Sequence, residues 1–87
     1  MEITVKIVYK NDKLHELRKN ASLSQSQLAN LTGISVRVLQ EYEQGNRNLN
    51  GAKLVTLLKF CNALKCKLSD ILTDPPTLEE LSLYGDK

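Results

Sequence analysis

The side chains of this chain that could do chemistry gather between residues 36 and 44. When these residues are placed at helical steps of about 100°, one side carries Val38, Leu39 and Tyr42, which can be buried. The other side carries donors, acceptors and one apolar tip, which are Val36, Arg37, Gln40, Glu41 and Gln44. This face is suited to directional hydrogen bonding. We therefore expect it to read the polar edges of another molecule.

Groups suited to catalysis are scarce. His15 is the single histidine of the chain, and no motif pairs a nucleophile with a base or gathers metal ligands. Cys61 and Cys66 match neither a zinc spacing nor a disulfide framework, and we expect both to be small core residues. We predict that His15 is a solvated helix residue. The sequence therefore predicts no enzyme, no metal site and no cofactor.

Two helix starts flank a turn in the middle of the chain. Ser24 can accept from a backbone N–H at the start of one helix, and Gln27 three residues later can complete a capping box. Ser35 can cap a second helix in the same way. Between them, Gly33 stands where the first helix must end in a left-handed residue, which glycine adopts at least cost. The sequence thus predicts a helix-turn-helix.

Helices are also predicted on both sides of this motif. Asp12 is a suitable cap for a helix carrying Leu14 and Leu17, and Asn50 for a helix that runs to about residue 64. A short closing helix follows at 68–72. We expect the main wall of the core to come from the apolar residues after Asn50, which are Leu54, Val55, Leu57, Leu58, Cys61 and Leu64.

Size and charge limit what the chain can be. With 87 residues it is one small domain, and its 41% hydrophobic and 25% charged residues are typical of a globular protein. Residues 1–69 hold 11 Lys or Arg against 5 Asp or Glu, net +6, and residues 70–87 hold one Lys against five acids, net −4. We find no membrane span or signal segment and expect a cytoplasmic protein.

The two ends differ from the helical middle. Residues 2–10 alternate as a β-strand does, with one side formed by Ile3, Val5, Ile7 and Tyr9. No later segment offers a partner strand, so we expect this arm to pair with a second copy or another protein, or to lie on its own domain. At the other end, Pro75 and Pro76 should prevent the closing helix from continuing. Thr77 with Glu80 can start one further, marginal turn.

The segments LRKNASLSQSQLANLTGISVRVLQEYEQG and NALKCKLSDIL together resemble the Cro/C1-type (XRE-like) helix-turn-helix family over about residues 12–73. The resemblance implies an all-α, five-helix, lambda-repressor-like bundle that docks as a dimer on pseudo-palindromic double-stranded DNA, with its third helix in the major groove. The expected organisation is an N-terminal β-strand arm at 1–10, the DNA-binding domain at 11–73 and an acidic tail at 74–87.

The resemblance also implies roles for particular residues. The base-reading positions are Val36, Arg37 and Glu41, with Gln40 between them on the same face. Backbone contacts of DNA fall to the helix start and the loop after the third helix, at Gln25, Gln44, Asn46, Arg47 and Asn48. Arg18 and Glu43 occupy positions that form a partly buried structural ion pair across two helices.

Two functions are compatible with these observations. The first is a sequence-specific transcriptional regulator, a repressor that works as a homodimer because one Arg and one Glu on the reading helix give modest, salt-sensitive affinity. The second is an antitoxin-type regulator, whose arm or acidic tail binds a partner protein such as a toxin while the bundle regulates its own promoter. Neither involves a membrane.

Overall fold

The computed structural model of the protein describes residues 8–85, and within them all regular structure is helical. Six α-helices follow one another along the chain: α1 Lys13–Asn20, α2 Gln25–Thr32, α3 Val36–Gln44, α4 Leu54–Leu64, α5 Leu68–Ile71 and α6 Pro75–Tyr84. A 3-10 turn, Leu49–Gly51, precedes α4. None of the helices in this range is long and apolar enough to cross a membrane.

The central turn forms as the sequence predicts. The Ser24 hydroxyl accepts from the Gln27 N–H at 3.1 Å, and the Gln27 side chain accepts from the Ser24 N–H at 2.8 Å. Ser35 caps α3 by accepting from the Val38 N–H. Gly33 ends α2 with a φ of 73°, the left-handed conformation that favours glycine. These local bonds fix the angle between α2 and α3.

The core lies where one face of each of the first five helices meets. Phe60 is its largest fully buried residue, and its ring stands edge-on to Tyr42 with the ring centroids 6.0 Å apart. The other four of these five helices each contribute at least one buried apolar side chain. These side chains include Leu14, Leu28, Leu39 and Ile71. Cys61 belongs to this core and Cys66 packs partly against it, as the sequence predicts.

The prediction that one broad face of α4 lines the core is wrong in part. Leu57, Phe60 and Cys61 are buried, whereas Leu54, Val55 and Leu58 are 60%, 56% and 41% exposed. At 3.6 residues per turn, the exposed three lie roughly a right angle away from the buried three. α4 therefore presents two apolar faces, and only one of them is covered.

Neither of the predicted caps Asp12 and Asn50 caps its helix with its side chain. Asp12 makes no capping bond; instead the Asn11 side chain accepts from the Lys13 N–H at 3.0 Å and donates to the Ile71 carbonyl at 2.8 Å. Asn50 does not start α4, because it lies within the 3-10 turn that precedes that helix. Its amide oxygen accepts from the Thr73 N–H at 2.8 Å, and its amide nitrogen donates to the Thr73 hydroxyl at 2.9 Å. Both asparagines thus hold distant segments together.

The predicted N-terminal β-strand is not supported. Residues 8–10 adopt no regular structure, and no strand occurs anywhere in residues 8–85. The Tyr9 N–H donates to the Gly45 carbonyl at 2.8 Å, so a bond that a partner strand would need is made to the chain's own α3 end. The other predicted strand residues, Ile3, Val5 and Ile7, lie outside the described residues.

The predicted five-helix bundle gains a sixth helix in the acidic tail. Asp74 caps α6 by accepting from the N–H and the hydroxyl of Thr77, at 3.2 and 2.6 Å. Pro75 and Pro76 then occupy the first two helical positions, where a proline loses no intrahelical bond and its fixed φ suits the helix. α5 thus ends before the two prolines, as predicted, but the next helix begins at Pro75 and not at Thr77.

Candidate nucleic-acid interface

The first two turns of α3 present the side chains that the sequence predicts to read bases. Arg37 is the most open, with 90% of its side chain exposed. Val36, Gln40 and Glu41 are partly buried on the same stretch of helix. An arginine so exposed can offer its planar fork of N–H groups to O6 and N7 of guanine in a major groove. This helix face can therefore make directional contacts to base edges.

Glu41 is held by arginines on both sides. The Arg47 Nη2 and Nε atoms lie 2.6 and 2.8 Å from Glu41 Oε2, and the Arg37 Nε lies 3.7 Å from Glu41 Oε1. The hydrogen bond from Arg47 to Glu41 raises the pKa of Arg47, so its guanidinium stays charged. Two positive charges and one negative charge leave this cluster net positive. The negative charge that the sequence places on the reading helix is thus offset by two arginines.

Arg47 is positioned by more than this ion pair. Its Cζ atom stands 5.8 Å from the centroid of the Tyr42 ring, a cation–π distance. Its backbone N–H donates to the Glu41 carbonyl at 3.3 Å. Half of the Arg47 side chain is nevertheless exposed. The loop after α3 therefore holds a pre-oriented cation at the edge of the reading helix, where a phosphate group can approach.

Gln25 links the start of α2 to the reading helix. Its Oε1 accepts from Gln40 Nε2 at 3.2 Å, and its Nε2 donates to Glu43 Oε1 at 3.4 Å. Gln25 is also the first residue of α2, where backbone N–H groups have no partner within the helix and the helix dipole favours an anion. Gln25 therefore orients Gln40 with its side chain and lies at a helix end that can bind an anion.

A buried ion pair joins α1 to α3. Arg18 donates from Nε to Glu43 Oε2 at 2.8 Å and from Nη2 to Glu43 Oε1 at 2.9 Å, and only 11% and 4% of the two side chains are exposed. Arg18 Nη1 also donates to the Leu23 carbonyl at 2.8 Å. This two-point geometry is among the strongest available to charged side chains. The structure thus brings together the two residues that the sequence assigned to an ion pair.

His15 is a member of this cluster that sequence reasoning missed. Its Nδ1 lies 2.7 Å from Glu43 Oε1, while 44% of its side chain stays exposed, as expected of a solvated helix residue. The one available signal was spacing, because His15 precedes Arg18 by three residues and shares its side of α1. No group of three or more His, Cys, Asp or Glu in the described part of the chain could hold a metal ion.

Acid should weaken the fold through Glu43. Burial of this carboxylate alone would raise its pKa, but hydrogen bonds from Arg18 and His15 and the Arg18 charge outweigh burial, so the pKa lies below its ordinary value of 4.5. A lowered pKa stabilises the fold fully above that value, and this contribution is lost as pH falls through the folded-state pKa. We expect the stability difference between the wild type and Glu43→Gln to be constant from pH 5 to 7 and to shrink below about pH 4.5.

Urea unfolding at a series of pH values measures this difference. Glu16→Gln is the matched control, because Glu16 is exposed and forms no ion pair among residues 8–85. A gap between the wild type and Glu43→Gln that stays constant down to pH 3 would show that Glu43 contributes by packing alone.

The loop after α3 divides its predicted backbone-contacting residues into two groups. Gln44 and Asn46 are exposed, and the Asn46 amide donates to Gln44 at 3.2 Å. Asn48 instead caps the 3-10 turn by accepting from the Asn50 N–H at 3.1 Å. A cleft beside this loop is lined by residues of the α3 and α4 starts, including the cap residue Ser35 and also Lys53, which the sequence did not single out. Lys53 and Arg47 give this cleft a positive charge.

The comparisons with known proteins agree with this geometry. The family model of the Cro/C1-type helix-turn-helix DNA-binding domain matches residues 13–77. Among solved structures, the chain is similar to the restriction-modification controller protein C.AhdI from Aeromonas hydrophila, with 34% sequence identity and a TM-score of 0.63. That similarity covers 70% of this chain and 88% of the other. No curated protein matches the chain.

The family model spans most of the chain and includes the capped turn, the reading helix and the Arg18–Glu43 pair. It ends within α6, whose last seven residues lie beyond it. The arm before α1 also lies outside the matched range. The chain belongs to the Cro/C1-type helix-turn-helix family of DNA-binding transcriptional regulators.

Proposed function

We propose that the chain is a repressor that binds a pseudo-palindromic operator as a homodimer, with α3 of each copy in the major groove. The observation that carries this proposal is the outward face of α3, where a nearly fully exposed Arg37 stands beside polar side chains that are already oriented. A side chain held before binding loses less conformational freedom when it binds. The similar protein is named a controller, which supports a role in gene regulation.

The proposed contacts follow from the chemistry of each group. Arg37 reads guanine through O6 and N7, and Val36 touches a thymine methyl group. Gln40, steadied by Gln25, offers its remaining amide atoms to a base edge. Glu41 accepts from cytosine N4 through Oε1, the oxygen that Arg47 leaves unoccupied. These four positions supply the sequence preference of one half-site.

Contacts to the DNA backbone fix the register of α3. Phosphates of the same half-site are contacted by the α2 start at Gln25 and by the loop residues Gln44, Asn46, Arg47 and Asn48. Asn48 acts mainly through the turn that it caps. Such contacts position the protein and carry no sequence information. With few cations on the reading helix, one half-site binds modestly, so two copies are needed for tight binding. A dimer seated on a promoter blocks its use.

The second candidate function is an antitoxin-type regulator that also binds a partner protein. The observation that favours it is the exposed end of α6, where Leu83 and Tyr84 are 76% and 89% exposed. This function predicts a stable complex with the protein product of a neighbouring gene. The complex should be lost when Leu83 and Tyr84 are both replaced by serine. A repressor that acts alone keeps its full repression in the absence of any such product.

Selection of bound sequences from a random DNA pool tests the proposed function. We expect enrichment of two half-sites in twofold orientation, with centres about one helical turn, roughly 10 base pairs, apart. Enrichment of a single half-site would contradict the dimeric arrangement and keep the reading role of α3. A pool that enriches no sequence would contradict sequence-specific binding altogether.

A further inference from the structure

Two exposed apolar surfaces take part neither in the core nor in the proposed DNA contacts. The first, which we name the α4 patch, consists of Leu54, Val55 and Leu58. The second, the α6 tip, consists of Leu83 and Tyr84. Single exposed apolar residues are common, but large ones gathered on one helix face mark interaction sites. Each surface is therefore a candidate site for contact with another molecule.

The charges around the two surfaces are opposite in sign. Lys53 and Lys59 flank the α4 patch, and residues 44–69 contain no Asp or Glu. Glu79 and Glu80 lie one turn before the α6 tip, and residues 68–86 contain no Lys or Arg. None of these four side chains forms an ion pair within residues 8–85. The two surfaces are thus complementary in both polarity and charge.

Each surface is a poor partner for its own copy. Two α4 patches in contact would bring lysines together, and two α6 tips would bring glutamates together, and both arrangements place like charges side by side. α6 also gains from a partner, because only Leu78 and Leu81 pack partly against the core of their own chain, while Leu83 and Tyr84 near its end are exposed. A helix of this length is marginal in water without packing.

We propose that the α6 tip of one copy docks on the α4 patch of a second copy, and that the reciprocal contact closes a twofold dimer. Two different surfaces that pair reciprocally about one axis form a closed assembly and leave neither surface open for further growth. This inference rests on the proposed function in one respect, that a dimer is what supplies the second operator half-site. The interface itself can be tested without DNA.

Charge reversal gives a test that does not depend on removing a packing residue. One variant carries Lys53→Glu and Lys59→Glu, and the other carries Glu79→Lys and Glu80→Lys. Each variant alone places like charges at both contacts, so we expect dimerisation in sedimentation equilibrium to weaken at least about tenfold, the equivalent of about 1.4 kcal/mol. In an equimolar mixture both contacts of the mixed dimer are again of opposite charge, and we expect the dimer to return to roughly wild-type strength.

The outcomes separate this interface from its competitors. The control Lys19→Glu reverses an exposed charge on α1 and should leave the dimer unchanged. Wild-type dimerisation by the Glu79→Lys/Glu80→Lys variant alone would overturn the role of α6. A mixture that stays monomeric, oligomers that grow beyond a dimer, or a wild-type chain that is monomeric would overturn the proposal. So would a dimer lost on deletion of residues 1–7 alone, since the arm would then be the interface.

A DNA titration keeps this inference distinct from the proposed function. Leu83→Ser/Tyr84→Ser should bind one half-site as the wild type does, and should lose about tenfold or more in affinity for the full operator. Wild-type affinity for the full operator would contradict the α6 contact. If the wild type itself prefers no half-site, the reading role of α3 fails, while the sedimentation result still decides the interface.

Discussion

Replacing Arg18 with methionine is expected to lower the free energy of unfolding by about 3–5 kcal/mol. The substitution keeps a long side chain but leaves the Glu43 carboxylate, only 4% exposed, with His15 and Gln25 as its remaining partners. A buried charge that loses its main partner costs more than the pair itself contributed. In a domain of this size the loss is a large part of the whole stability. Urea unfolding near pH 7 measures it.

The control and the double variant make this result specific. Arg37→Met removes an arginine whose ion pair is 3.7 Å long and exposed, and it should cost less than about 1 kcal/mol. Arg18→Met combined with Glu43→Leu removes both charges and should recover much of the loss. If Arg18→Met costs no more than Arg37→Met, the buried pair does not hold α1 to α3.

Gly45→Ala is expected to destabilise the protein by about 2–5 kcal/mol, the sum of two effects. Gly45 has a φ of 80°, and an alanine in this left-handed region costs roughly 1–2 kcal/mol. Its new Cβ would also stand 2.8 Å from Val8 Cγ1 and 3.3 Å from the Tyr9 carbonyl oxygen. Relieving this overlap moves the arm and lengthens the bond from Tyr9 to Gly45, which adds about 1–3 kcal/mol.

Gly33→Ala separates the two effects. Gly33 has a similar φ of 73°, but a Cβ there would meet nothing within 4 Å, so only the backbone cost should appear. Adding Val8→Gly to Gly45→Ala should restore part of the additional loss. Thermal or urea unfolding of the three variants gives the comparison. Equal losses for Gly33→Ala and Gly45→Ala would show that Val8 and Tyr9 do not pack on the α3 end.

The features that sequence predicts well are those specified by neighbouring residues. The Ser24 capping box, the Ser35 cap and the left-handed Gly33 each depend on atoms no more than a few residues apart, and all three form as expected. The buried pair of Arg18 and Glu43 is distant in sequence. It was expected only because the chain resembles a family in which these positions pair.

The features that sequence did not predict depend on tertiary contacts. Asn11 and Asn50 act through Ile71 and Thr73, which lie 60 and 23 residues away. No local pattern distinguishes such a bond from an ordinary helix cap. Alternation in the arm predicted a strand, but the Tyr9 N–H bonds to Gly45. Local periodicity cannot show which surface an extended segment will meet.

Two errors came from giving one local signal too much weight. The capping pattern of Thr77 and Glu80 places the start of the last helix two residues too late, because prolines at 75 and 76 suit the first turn of a helix. The sequence counts only one Arg beside Glu41 on the reading helix, whereas Arg47 follows Glu41 by six residues and returns through the loop to contact it. In both cases the residue that decides the outcome lies outside the local sequence pattern. Asp74 caps α6, and Arg47 contacts Glu41.

We propose that the outward face of α3 reads base sequence, and Arg37→Ala tests this role most directly. Affinities are measured for the selected operator, for operators changed at one base pair in each half-site, and for random DNA. We expect Arg37→Ala to lose about 1–3 kcal/mol of discrimination at one base pair of each half-site, while Gln25→Ala weakens all sequences similarly. Equal losses for Arg37→Ala on the operator and on random DNA would contradict the claim.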